Sequence, residues 1–373
     1  MNSVEVRTKD ACTWLKERNL NGLIAFSDAQ NSFLESNAVL VFSGLRPLGE
    51  SAVVLKEDGT STLILTPAWD EERARSISRT TKVIASDDLA TALIDHLAAS
   101  GLSSAKLAVI AMKKQRNALV QLVLGQLANE VQHADTLSAH VARIRSPEEV
   151  ESLKKATWIA ERGYERLLEA ARPGVREFEL AADIYTAMKD LGAEDNFLLM
   201  SASQHNLAVR AAGRRILQEG DIILGEITPC YNGQFVQICR TSVIGPANEQ
   251  LHKTYSILQE AMQRGMEAAV PGATVGEACR AMNEVFIKAG YGDYCRPPYM
   301  RVRGHGLGIT TDRPGDLSDT SEVLFEEGMV FVMHPNQYIP ETGYLMCGEP
   351  VIVSHNGAIS MSDHDAKLDV IEV

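Results

Sequence analysis

The chain has 373 residues, 45% of them hydrophobic and 23% charged, with a formal net charge of −13, which is long and apolar enough for two packed cores. The acidic balance argues against nucleic acid or an anionic membrane as the main partner, because both need basic patches that release counterions. No stretch approaches the roughly 20 apolar residues that cross a bilayer, the charged opening lacks the apolar region of a secretory signal, and the six cysteines fall at no metal-ribbon or redox spacing; reduced thiols and a cytoplasmic location are expected.

From the start to about residue 140 helix-period and strand-period segments alternate. A helical stretch at 9–18 leads into the apolar run 22–26, and two strands at 52–55 and 62–65 face each other across Glu57-Asp58-Gly59, a hairpin signal. A further strand at 106–110 lies between helical segments at 86–99 and 113–128. This predicts an α/β domain over residues 1–144.

Arg145-Ser146-Pro147-Glu148-Glu149 then marks a helix start. Ser146 is an N-cap, Pro147 fits the first turn, and Glu149 closes a capping box. A long amphipathic helix is predicted from 147 to about 171, with the domain boundary before it and a second domain over 145–373. That domain repeats itself. Glu169-Ala170-Ala171-Arg172-Pro173-Gly174, followed by a helix, reappears as Glu267-Ala268-Ala269-Val270-Pro271-Gly272, also followed by a helix. Strands follow each copy, at 221–227 and 235–243, then at 329–333 and 350–353. Two half-domains sharing one sheet, with a cleft at a pseudo-twofold, are expected.

Several carriers in this order give the chain a family likeness: the 145–149 cap, the Arg172-Pro173-Gly174 turn, Gln218-Glu219-Gly220-Asp221-Ile222-Ile223, Arg240-Thr241, Gly304-His305-Gly306-Leu307-Gly308, and Glu327-Gly328-Met329-Val330-Phe331. On these the whole sequence resembles the creatinase, Xaa-Pro aminopeptidase and prolidase superfamily. The resemblance implies an α/β N-terminal domain and an α+β pita-bread catalytic domain.

The metallopeptidases of that superfamily hold two divalent metals with two Asp, one His and two Glu, and the paired charge activates a bridging water. Carried over by motif, the first Asp falls on Glu226, the second on Gln237, the His on His305 and the first Glu on His334, in Met333-His334-Pro335. The last Glu falls between Cys347 and Glu349. A further substrate-steadying His falls on Asp312, and the His expected before the first central strand falls on Val209, with His205 nearby. A neutral amide at 237 cannot bridge two dications or offset their charge.

The resemblance and the altered donors together predict a small-molecule hydrolase of the creatinase-like type, cleaving a carbon–nitrogen bond without a dinuclear centre and with no cofactor. His305 or His334 would shuttle the proton, since imidazole titrates near neutrality. Glu226, Asp312 and Glu349 would complete the catalytic set, and Gln237, Arg313, Arg210 and Arg46 would bind substrate. Arg46, in Phe42-Ser43-Gly44-Leu45-Arg46-Pro47, would act across a homodimer interface. The alternatives are a single Fe, Mn or Zn held by Glu226, His305 and His334, an Xaa-Pro peptidase, and a non-catalytic binding protein of the same fold.

Overall fold

The computed structural model describes residues 2–30, 33–34 and 37–373. The chain divides into two compact units, Met1–Arg143 and Ile144–Val373.

In the first unit a six-stranded sheet is centred on Gly22–Ser27, which pairs antiparallel with Ser51–Lys56 and parallel with Leu107–Ile110. The expected hairpin forms between Ser51–Lys56 and Ser61–Leu65. These strands are nearly continuous apolar runs because both faces are covered. Leu93 and Leu97 of the helix Leu89–Ala99, and Leu119 and Val123 of Asn117–Leu124, pack with Ile24, Val54, Ile64 and Val109. Arg46 lies just past the left-handed Gly44 that ends the helix Ala38–Ser43, and its carbonyl accepts from Nη2 of Arg73 at 3.3 Å.

The second unit opens on the helix Pro147–Ala170, with Ser146 and Glu149 forming the reciprocal capping box and Pro147 in the first turn. The duplicated unit is visible as two helix pairs, Pro147–Ala170 with Glu177–Asp190 and Glu249–Ala268 with Val275–Lys288. Each pair turns at a Pro-Gly whose glycine, Gly174 or Gly272, has φ near +90°, a conformation in which a side chain would be strained. The single shared sheet is corrected: the strands form a five-stranded sheet built on Asp195–Ser203, Ile222–Tyr231 and Ile238–Ile244, and a four-stranded sheet built on Gly304–Gly306, Val330–Met333 and Glu349–Ser354. The two meet through isolated bridges, Cys239 to Gly348 and Phe235 to Gly308, and each Cys239–Gly348 backbone bond is 3.0 Å long.

Leu258 and Ala261 of one helix and Met282 and Phe286 of the next are fully buried against Phe331 and Met333. Each such large side chain contributes about 1.5–3 kcal/mol relative to exposure. This core fixes the helix-facing side of the second sheet and so decides which residues are left for the other side.

Candidate active site

Side chains alternate across a strand, so register decides which predicted residues meet. Glu226 lies directly opposite Cys239 in the antiparallel pair of Ile222–Tyr231 with Ile238–Ile244. Glu226, Thr228, Gln237 and Cys239 therefore share one face, the inner one. Thr228 Oγ1 lies 3.5 Å from Gln237 Oε1, and Gln237 Nε2 donates to Cys239 Sγ at 3.4 Å. In the second sheet His305 opposes Val332, and His334 points the same way as Val332, two residues along. The rings of His305 and His334 accordingly stand 5.4 Å apart, edge to face at 66°.

The same register turns Glu349 away. It opposes Met333, whose side chain is in the helix-facing core. Arg240 opposes Gly225 and projects to that outer side, where Nη2 lies 3.0 Å from Glu349 Oε1, each side chain only 3% exposed. Arg240 also donates to the carbonyl of Gly348 at 2.7 Å, and Ser362 Oγ donates to Glu349 Oε2. Glu349 is thus half of a buried ion pair and not a catalytic or metal-binding carboxylate. The inner-facing position beside His334 is Gly348, where a methyl group would lie 2.6 Å from the Cβ of His334 and 3.0 Å from that of Cys239.

Other predicted residues stand apart from this cluster. Asp312 is exposed in a loop and bonded to Thr310, whose Oγ1 accepts from its backbone N–H at 3.2 Å. Arg313 is half-buried and precedes a cis Pro314. Arg210 is exposed, with its carbonyl accepting from Met200 N at 2.9 Å. Arg215, one of its neighbours, is tied to the fully buried Asp221 by a bond of 2.7 Å. Arg46 belongs to the first unit.

Sequence reasoning missed three groups. Cys239 is on the inner face by simple alternation from Gln237. Asn336 places Nδ2 3.7 Å from the sulfur of Cys239 and accepts from Cys347 N at 3.0 Å. Tyr344, on Gly343–Leu345, has its phenol pushed up by burial and then by the neighbouring Glu226 and Cys239. The Glu226–Cys239 opposition was readable only once register was known.

Electrostatics separate the three titratable groups. Burial raises the Glu226 carboxyl from 4.5 to about 7, although part of its surface stays open. Burial, with the repulsion of His305 second, drops His334 to about 3. His305 is also lowered by burial; its Nδ1 donates to the carbonyl of Gly306 at 2.9 Å. At neutral pH the inner face therefore presents one carboxyl poised to lose its proton and two uncharged imidazoles.

A pair of divalent metals does not fit this donor set. Of the five carried-over positions, 237 is an amide, 334 an imidazole, and the inward-facing position beside 334 is a glycine, leaving one carboxylate to offset two dications. The single-metal triad of Glu226, His305 and His334 is not assembled either. Among the described residues, no three His, Cys, Asp or Glu side chains are placed to hold a metal ion.

The duplicated helix pairs and the two bridged sheets define a pita-bread protein. The chain matches metallopeptidase family M24 over residues 151–360. It is 30% identical over 366 residues to the Xaa-Pro dipeptidase of Pyrococcus furiosus, covering 95% of this chain and all of that one. Among solved structures it is similar to the Xaa-Pro dipeptidase of Bacillus anthracis, with a TM-score of 0.86 and 20% identity over 99% of this chain and all of the other. It is also similar to the prolidase of Pyrococcus furiosus, with a TM-score of 0.81 and 26% identity over 95% and 99% of the two chains. The chain belongs to metallopeptidase family M24. The expectation of a non-peptidase carbon–nitrogen hydrolase is corrected, since the relative matched along its full length is an Xaa-Pro dipeptidase. No helix among the described residues is long and apolar enough to cross a membrane.

Proposed function

We propose that the chain hydrolyses short peptides of the Xaa-Pro class by side-chain acid–base chemistry centred on Glu226, in place of the metal-held water of its family. The observation that carries this is that the inner face bears a carboxyl with a midpoint near 7 on one sheet and two neutral imidazoles on the other, the sheets meeting where Gly348 lies against both His334 and Cys239, the residue opposite Glu226. The names of the relatives support the substrate class.

A base works best when its midpoint lies near the working pH. The Glu226 carboxylate accepts a proton from water as the water oxygen bonds to the scissile carbonyl carbon. It then delivers that proton to the leaving nitrogen as the carbon–nitrogen bond breaks. A neutral imidazole still offers one N–H, and His334, whose Nδ1 is buried without a hydrogen-bond partner among the described residues, is suited to interact with the developing oxyanion. Gln237 and Thr228, both fully buried and in contact with each other, pack beside Glu226 and do not reach a substrate.

Metal-stripped protein is assayed on a panel of Xaa-Pro dipeptides. Turnover that survives chelation and is lost in Glu226→Gln supports the reading. Turnover only with added manganese or cobalt, or none on any peptide, overturns it.

A further inference from the structure

The first unit holds a cavity of about 420 Å³ that the acid–base chemistry does not use. That volume lies in the range of small-molecule sites, roughly 300–1,000 Å³. One wall is the face of the helix Ser3–Glu17 that carries Thr8, Lys9 and Lys16; residues seven apart return to the same side of a helix. The other wall is the hairpin turn Glu57-Asp58-Gly59 with Arg79. Val4, Cys12 and Ser61 also line the cavity and are buried. Ser61 N donates to Thr81 Oγ1 and Thr81 N to Ser61 Oγ, each at 3.2 Å, which fixes this second wall.

Lys9, Lys16 and Arg79 bring three cations to this cavity, and none has an ion-pair partner among the described residues. Exposed cations elsewhere pair with a carboxylate one turn away, as Arg75 does with Glu71 at 2.6 Å and Arg264 with Glu267 at 3.0 Å. Here that option exists and is not taken. Glu5, one turn before Lys9, turns back to the helix start and accepts from Asn2 N at 3.1 Å. Asp58 accepts from Thr60 N at 2.8 Å and faces Lys56 at 3.8 Å. Glu57 remains as the free carboxylate, so three cations less one carboxylate leave a surplus of two positive charges, in a chain whose net charge is −13. Like charges gathered at one cavity repel one another, and a bound anion removes that repulsion.

From this unneutralised cavity we propose that the first unit binds a small molecule with a doubly charged anionic head on a body that carries hydroxyl groups. Lys9 and Lys16 meet the head as point charges, and Arg79 forks onto two of its oxygens. The Glu57 carboxylate and the Thr8 hydroxyl accept from the hydroxyl groups of the body. Phosphate esters of polyols and hydroxylated polycarboxylates share this chemistry. The site is built from one unit and is independent of the proposed peptide hydrolysis.

The test titrates the full chain with glycerol phosphate, citrate and glycerol by calorimetry in a phosphate-free buffer of low ionic strength. At least one of the two anions should saturate a single site while glycerol, which lacks the head, does not bind; the tighter anion identifies the head as phosphate or carboxylate. Combining Lys9→Ala with Arg79→Ala should weaken that binding by roughly tenfold or more. Lys288→Ala, which removes an exposed lysine from the second unit, should leave it unchanged. All three side chains removed are exposed, so the variants should unfold as the wild type does. No saturation by either anion below about 10 mM, binding that the double variant retains, or equal weakening by Lys288→Ala would overturn the site.

Discussion

Gly348 and His334 approach so closely that a methyl on one would sit 2.6 Å from the Cβ of the other. Two ordinary residues facing each other in an antiparallel pair keep their Cβ atoms about 4.5–5.5 Å apart. The strands therefore draw together here because one partner has no side chain, and the space that an inward carboxylate at 348 would need is closed. Gly348→Ala should destabilise the fold by about 1–3 kcal/mol, measured by chemical denaturation. Gly348→Glu should gain no metal affinity, because restoring one ligand forces the strands apart and leaves Gln237 and His334 unchanged.

Arg240 and Glu349 should behave as structure and not as chemistry. Removing one partner of a buried pair strands the other charge, so Arg240→Ala should cost about 3–5 kcal/mol. Glu349→Gln should lower the melting temperature while leaving kcat per folded molecule within about twofold of wild type, since its side chain lies on the outer face. A collapse of kcat in a fully folded Glu349→Gln protein would return that carboxylate to the site.

The rate should follow the ionisation of Glu226. With its midpoint near 7, kcat/KM should climb about tenfold per pH unit below neutrality and level off above it. Glu226→Gln should lower kcat by roughly 100-fold or more and remove that limb from the profile.

Stability should respond in opposite directions to the two buried groups. Glu226 is raised from 4.5 to about 7, so between those values the folded state holds the extra proton and stability falls as pH rises, by up to about 3 kcal/mol at about 1.4 kcal/mol per pH unit. His334 is lowered from 6.5 to about 3, so the unfolded state takes the proton first and stability falls as pH drops through that window. Between pH 4.5 and 6.5 the two slopes oppose and largely cancel, so in unfolding curves from pH 4 to 8 Glu226→Gln should unmask a stability that falls toward acid, and His334→Gln one that falls toward neutrality.

Much of the fold was legible because its signals are local. Ser146, Pro147 and Glu149 specify a helix start through adjacent atoms, and the repeated Pro-Gly turns mark both halves of the second unit. Glu226, Gln237, His305 and His334 were readable because fixed neighbours anchor them in the chain. Glu349 was misplaced because a strand reverses faces with every residue, and no local signal near Cys347-Gly348-Glu349 says which one turns inward. That is decided by Met333 in the core and by Arg240 on the far side of the neighbouring sheet. Asp312 and Arg210 sit in loops, whose side-chain directions depend on packing that no periodicity encodes.

On this reading the inner face has exchanged a ligand set for two metals for a protonatable carboxyl on one sheet and two neutral imidazoles on the other. The most direct test is titration of metal-stripped protein with manganese and cobalt, followed by Xaa-Pro dipeptide turnover on the same samples. The account predicts no tight site for a pair of ions and a rate indifferent to chelation. Two ions bound per chain, with turnover that appears on loading and vanishes on stripping, would contradict it.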